Sequence, residues 1–138
     1  MTLWSTDPAI GTWKLNTAKS KYIPGPAPKS ATITYVETPN GIKRTGESID
    51  ADGNKSSFEY TANYDGKDYP VSGSELFDAI ALQRFSDNTV EATLKKSGKV
   101  VSTVRRFVPK NAKTMTLTIS GTNAQGHKMI NFAVYDRK

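Results

Sequence analysis

Apolar and polar residues alternate with a period of two along almost the whole chain, and no stretch longer than a turn or two carries helical spacing. Alternation of that kind sends successive side chains to opposite faces of a half-buried strand, so the pattern predicts an all-β protein. Ten strands are expected: Ile10–Leu15, Ala31–Glu37, Ile42–Ile49, Lys55–Ala62, Asp68–Ser72, Phe77–Phe85, Thr89–Lys95, Lys99–Val108, Met115–Gly121 and His127–Asp136. The separators between them are short and rich in Gly, Asn and Asp, such as Pro39-Asn40-Gly41, Tyr64-Asp65-Gly66 and Ser97-Gly98. These residues tolerate the positive φ of tight hairpins, and short links make consecutive strands neighbours, which predicts an up-and-down meander. The long link at 16–30 is different. Pro24, Pro26 and Pro28 oppose both helix and ladder pairing there, so an extended loop across one end is expected.

Strand-like pieces occur at both extremes of the chain, and pairing the first with the last would remove the exposed sheet edges that recruit other chains. The expected fold is therefore a closed antiparallel up-and-down β-barrel of about eight to ten strands, whose alternate residues face a ligand-sized interior. With 138 residues the chain suits one domain with a sizeable core. It contains no cysteine, which excludes disulfides, thiol nucleophiles and cysteine-ligated zinc. The single His127 follows a turn, where a surface imidazole is expected, and no second histidine is available for a metal site. No cofactor is expected.

The formal net charge is +6, but the 19 Lys and Arg residues are scattered over every segment and accompany no nucleic-acid-binding motif. A basic surface that favours small anions is expected, without a nucleic-acid partner, a membrane span or more than a monomer or dimer. The first residues carry no basic stretch followed by an apolar run, so the chain as written reads as cytoplasmic, or as periplasmic or secreted if a leader has been removed.

Several motifs resemble a known superfamily. Gly11-Thr12-Trp13 resembles the Gly-x-Trp signature of the calycins, and Gly11 to Leu15 is similar to the opening of the intracellular fatty-acid-binding proteins. Ser97-Gly98-Lys99 with the strand to Arg106, and the terminal Ala133-Val134-Tyr135-Asp136-Arg137, are similar to the last strands of those ten-stranded barrels. Lys19 to Tyr22, Pro24 to Ser30 and Tyr64 to Pro70 resemble small bacterial lipocalin-like proteins. The resemblance implies a tail at 1–8 and a lipocalin-like barrel domain at 9–138. It implies a Trp13 that closes the barrel floor beneath an arginine, either Arg106 or Arg137, and leaves Trp4 in the tail or plugging the mouth. The proline-rich segment departs from the helical lid of the fatty-acid binders, so a barrel without one is expected.

The same resemblance places Tyr135 in the lumen, with Ala133 where those binders have an arginine, and aligns Arg105 with a second lumenal arginine of the family. By parity, Met129 and Asn131 then share the lumenal face of the last strand, and Thr103 and Phe107 share the face of Arg105. An inward Arg105 would need a carboxylate, an aromatic face or an anionic ligand; the alternatives are an inward Arg106, or a closed pair of Arg105 with Asp78 or Glu59. Phe77 to Phe85 offers two faces, one with Phe77 and Gln83 and one with Asp78 and Arg84. The ligand-binding candidates are thus Arg105, Tyr135, Asn131, Met129, Thr103, Phe107, Phe77 and Gln83. The expected function is binding of a small, partly apolar, anionic molecule inside the barrel. The alternative is a cofactor-independent lyase, isomerase or cyclase working by acid–base chemistry, with Asp78, Glu59 and Tyr60 as catalytic candidates.

Overall fold

The structure, a computed structural model, describes residues 7–123 and 125–138; Trp4 lies outside the described residues. Eleven strands form one antiparallel sheet: β1 Gly11–Leu15, β2 Lys21–Ile23, β3 Ser30–Thr38, β4 Gly41–Ile49, β5 Lys55–Ala62, β6 Asp65–Ser72, β7 Ala79–Arg84, β8 Thr89–Lys96, β9 Lys99–Phe107, β10 Thr114–Thr122 and β11 Lys128–Arg137. From β3 to β11 each strand pairs with the next, as the short turns require. β1 closes the ring by pairing with both ends of this run: Trp13 lies opposite Ile33 of β3 and opposite Arg137 of β11. The result is a closed ten-stranded barrel, and β2 lies along its seam.

Burial follows the alternation. On β3, Ala31, Ile33 and Tyr35 point inward, and on β10 Met115 and Leu117 point inward between outward threonines. The ladder is thinnest between β5 and β6, where only Glu59 and Tyr60 pair, with Ser72 and Val71. β6 carries Pro70, which offers no N–H to a ladder, and its register with β7 shifts between Asp65 and Asp68.

Residues 16–30 differ from expectation. Asn16 caps a single 3-10 turn at Thr17–Lys19 by accepting from the Lys19 N–H at 3.2 Å, and Lys21–Ile23 then pairs with Ile130 to Phe132. The three prolines all come after Ile23, so this short strand keeps its N–H groups, and β1 leaves that stretch of β11's edge free. There is no α-helix among the described residues, and no helix long and apolar enough to cross a membrane.

The end of the barrel where β1 begins is sealed. Trp13, Val108 and Met115 are fully buried there, and Trp13 donates its indole N–H to the Ala9 carbonyl at 2.8 Å. Asp7 and Pro8, expected in a tail, belong to this seal. The Asp7 side chain accepts from the Ala9 N–H at 3.0 Å and its carbonyl from the Ile10 N–H at 3.1 Å, a tight turn that leads into β1.

Candidate functional site

The barrel encloses a cavity of about 650 Å³. That is large enough for a drug-sized ligand. Its wall is mostly aliphatic, with Val90, Ala92 and Leu94 of β8 facing Leu117 and Ile119 of β10. The far end from Trp13 opens between the β6–β7 and β10–β11 connections, where Glu75, Leu76, Thr122 and Asn123 form the rim. Leu76 is 57% exposed at that rim although it also lines the cavity.

Two arginines reach the lumen. Arg44 comes from β4, where Ile42, Arg44, Gly46 and Ser48 face in while Lys43, Thr45 and Glu47 face out. Its guanidinium carbon lies 3.7 Å from the centre of the Phe58 ring, and Nη1 donates to the Phe58 carbonyl at 3.2 Å. Gly46 makes the space for it: a Cβ there would stand 2.6 Å from Nη1 and 2.9 Å from Cζ. Phe58 in turn meets Phe77 edge to face, with centroids 5.0 Å apart. Among the described residues no carboxylate lies within ion-pair distance of Arg44.

Arg106 comes from β9 and is almost completely buried, but it is already engaged. It donates to the Tyr64 hydroxyl at 2.7 Å, lies 3.7 Å from Asp7 Oδ1, and sits 4.9 Å from the centre of the Tyr35 ring. The Tyr64 hydroxyl donates to Asp7 Oδ2, and Arg84 adds an ion pair to the same oxygen at 3.3 Å. Burial works against the Arg106 charge, yet Tyr35, Tyr64 and Asp7 outweigh it and raise its pKa. Tyr60, Tyr64 and Tyr135 are shifted as well. Burial pushes Tyr64 up to about 12, and pushes Tyr60 and Tyr135 further above the ordinary phenol value. Each therefore stays a neutral hydroxyl at physiological pH.

Tyr135, Asn131, Met129 and Phe77 line the cavity together with Tyr60. Asn131 also accepts from the Ile23 N–H at 3.3 Å, which ties β2 to the wall. Arg105, Thr103 and Phe107 face the other way. Arg105 is exposed and pairs with Glu91 at 2.5 Å, Thr103 shares a hydroxyl contact with Ser120 at 3.0 Å on the outer surface, and Phe107 is 45% exposed. The cause is a register shift between Leu94 and Lys95 beside the β8–β9 turn, where Val101 and Ser102 both reach the lumen. A count of two from Ser97-Gly98 crosses this bulge, and one residue of slip exchanges the faces of a strand.

On β7 the inward face is Ile80 and Leu82, so Gln83 is exposed; Phe77 turns inward because it precedes the regular strand. Asp78 lies outside and accepts from the Ser97 N–H at 3.1 Å, and Glu59 lies outside and pairs with Lys43 at 3.6 Å. Of the three catalytic candidates only Tyr60 faces the lumen. No cluster of three His, Asp or Glu side chains suited to a metal occurs among the described residues. Arg44 was absent from the expected set, although counting by two from the apolar Ile42 would have found it.

No family model matches the chain, and no curated protein matches it. Among solved structures, zebrafish ileal bile acid-binding protein, crystallised with cholic acid, superposes with a TM-score of 0.55 at 9% sequence identity, over 95% of this chain and 99% of that one. At that identity the likeness is one of fold, and the fold is that of the fatty-acid-binding-protein barrel.

Proposed function

We propose that this protein binds a small, partly apolar, anionic molecule inside the barrel, and that Arg44 holds its acid group. The observation that carries this reading is a lumen of about 650 Å³ with an aliphatic wall into which Arg44 projects without a carboxylate partner among the described residues. A guanidinium held in low-dielectric surroundings favours a planar oxyanion that can accept two hydrogen bonds from its fork. Arg44 spends one donor on the Phe58 carbonyl, and its other N–H groups have no acceptor among the described residues. Phe58 stacking holds the plane of the fork while the aliphatic strands receive the apolar body of the ligand. A bile acid-binding protein of the same fold forms a complex with cholic acid, which is in keeping with a barrel that binds a small molecule.

Binding of a fluorescent naphthalene sulfonate tests it. Arg44→Gln is expected to weaken that probe about tenfold or more while a neutral apolar probe binds as before, because only charge-assisted hydrogen bonds are lost. Arg105→Gln, on the outer face, is the control and should change neither. Equal binding of the sulfonate by wild type and Arg44→Gln would refute the anchor.

A further inference from the structure

A second, smaller cavity adjoins the lumen at Arg44. It holds about 190 Å³, and its own walls include Tyr22, Pro28 and Ala31. Ile33, Arg44, Ser48, Phe58 and Tyr135 border both spaces, so Arg44 stands on the boundary between them. The course of the chain leaves room for this chamber. β2 pairs with β11, and the pairing of β1 with β3 ends at Lys14 and Thr32, so among the described residues no ladder joins β2 to β3. Residues 24–29 cross the break as a strap, held at its end by the Lys29 N–H on the Ile49 carbonyl at 2.8 Å. Tyr22 reaches the chamber from β2 and Tyr135 from β11, and neither hydroxyl has a hydrogen-bond partner among the described residues. The two phenols are near enough for the charge of one to disfavour ionisation of the other. Burial pushes Tyr22 up to about 12, so at physiological pH its hydroxyl is neutral and can both donate and accept. Glu47 also borders the chamber, but it is exposed and beyond ion-pair distance of Arg44.

We propose that this chamber is a head-group subsite in which Tyr22 sets specificity, and that the ligand is an apolar acid carrying an amide within a few atoms of its acid group. This rests on the lumen being the binding site and Arg44 the acid anchor. A bare carboxylate fills only a small part of the chamber and leaves the Tyr22 hydroxyl covered without a partner, which is penalised. The C=O and N–H of an amide point in opposite directions from one plane, so they suit two hydroxyls that come from different strands. Arg44 keeps the charged group at the boundary, and the aliphatic wall of the lumen keeps the chain.

The test is calorimetric titration with N-acylglycines and with straight-chain carboxylic acids of the same overall length. Apolar burial alone favours the plain acid, since the amide makes the molecule less apolar. Wild-type protein should nevertheless bind the N-acylglycine at least about tenfold more tightly. Tyr22→Phe removes only a hydroxyl and should reduce that preference to about threefold or less, while binding of the straight-chain acid and of the naphthalene sulfonate stays as in wild type. Ala31→Leu fills the chamber from a position that borders it and not the lumen, and should remove the preference in the same way. Equal binding of the two kinds of acid by wild type overturns the proposal, as does a Tyr22→Phe preference equal to that of wild type. If Ala31→Leu does not fold, Tyr22→Phe decides. Sulfonate binding that depends on Arg44, with no preference for the N-acylglycine, removes the chamber alone and leaves the lumen as the site; sulfonate binding indifferent to Arg44→Gln removes the anchor and overturns both readings.

Discussion

Arg137 lies over Trp13, its guanidinium carbon 4.2 Å from the ring centre, and all three of its nitrogens are bound to backbone carbonyls: Ala112 at 2.6 Å, Ile10 at 2.7 Å and Pro8 at 2.5 Å. The last strand thus clamps the residues that precede the first one. Gly11 is required in this arrangement twice over. Its φ of +127° suits glycine, and a Cβ would stand 2.5 Å from the Arg137 Nη1. Of the two arginines that the resemblance allowed above Trp13, the structure selects Arg137. Trp13→Ala removes the largest fully buried side chain at this end and is expected to destabilise the protein by about 3 to 5 kcal/mol. Equilibrium denaturant unfolding measures it, and a loss below about 1 kcal/mol would contradict the clamp.

Gly46 is the seat of the Arg44 guanidinium. Gly46→Ala places a methyl group against the far end of a flexible side chain, so the fold should persist while the guanidinium moves off the Phe58 ring. The expected outcome is weaker binding of the naphthalene sulfonate with a circular dichroism spectrum like that of wild type. Unchanged affinity would mean that the position of Arg44 over Phe58 is immaterial.

Alkaline pH should unfold the protein in step with tyrosine ionisation. Burial raises Tyr22 and Tyr64 to about 12, and raises Tyr60 and Tyr135 more, whereas the unfolded chain releases these protons near the ordinary value of 10.0. Between those limits the folded state binds more protons, so stability decreases as pH rises from about 10 towards 12 and is unaffected by these groups below about 10. Phenolate absorbance and far-UV circular dichroism, followed together, should change in the same pH interval. Ionisation of Tyr22, Tyr60, Tyr64 and Tyr135 near pH 10 without loss of structure would contradict the burial.

The Arg105–Glu91 pair lies on the outer surface, where water and salt weaken it. Glu91→Gln should therefore cost less than about 1 kcal/mol and leave sulfonate binding unchanged. A larger loss of stability, or any loss of probe affinity, would show that Arg105 reports on the lumen after all.

Strand alternation and turn chemistry made the barrel legible in the sequence: all ten expected strands start within three residues of the observed ones, since a half-buried strand shows its pleat directly in residue type. Phe77–Phe85 contracts most, to Ala79–Arg84, because Phe77 and Asp78 belong to the connection before it. The short β2 was hidden, because its pairing depends on how much of the β11 edge β1 leaves uncovered. Tyr135, Asn131 and Met129 could be placed on one face because β11 runs without a bulge from Lys128 to Asp136 opposite β10. The faces of β9 could not be assigned in the same way. Val101, Thr103, Arg105 and Phe107 are about as apolar as Ser102, Val104, Arg106 and Val108, so composition does not choose between them, and the choice is made by a bulge near the β8–β9 turn.

The sequence by itself determined that the chain is all-β, closed and hollow, because those properties follow from local periodicity and from the types of residue at the turns. Which arginine faces the cavity without a carboxylate among the described residues and which is ion-paired was decided by the tertiary structure alone. Arg44 reaches the cavity because Gly46 and Phe58, on two different strands, make a place for it, and Arg106 is ion-paired because Asp7 is brought against it by barrel closure. Charge compensation across so many residues of chain is set by three-dimensional proximity, which local sequence patterns do not encode.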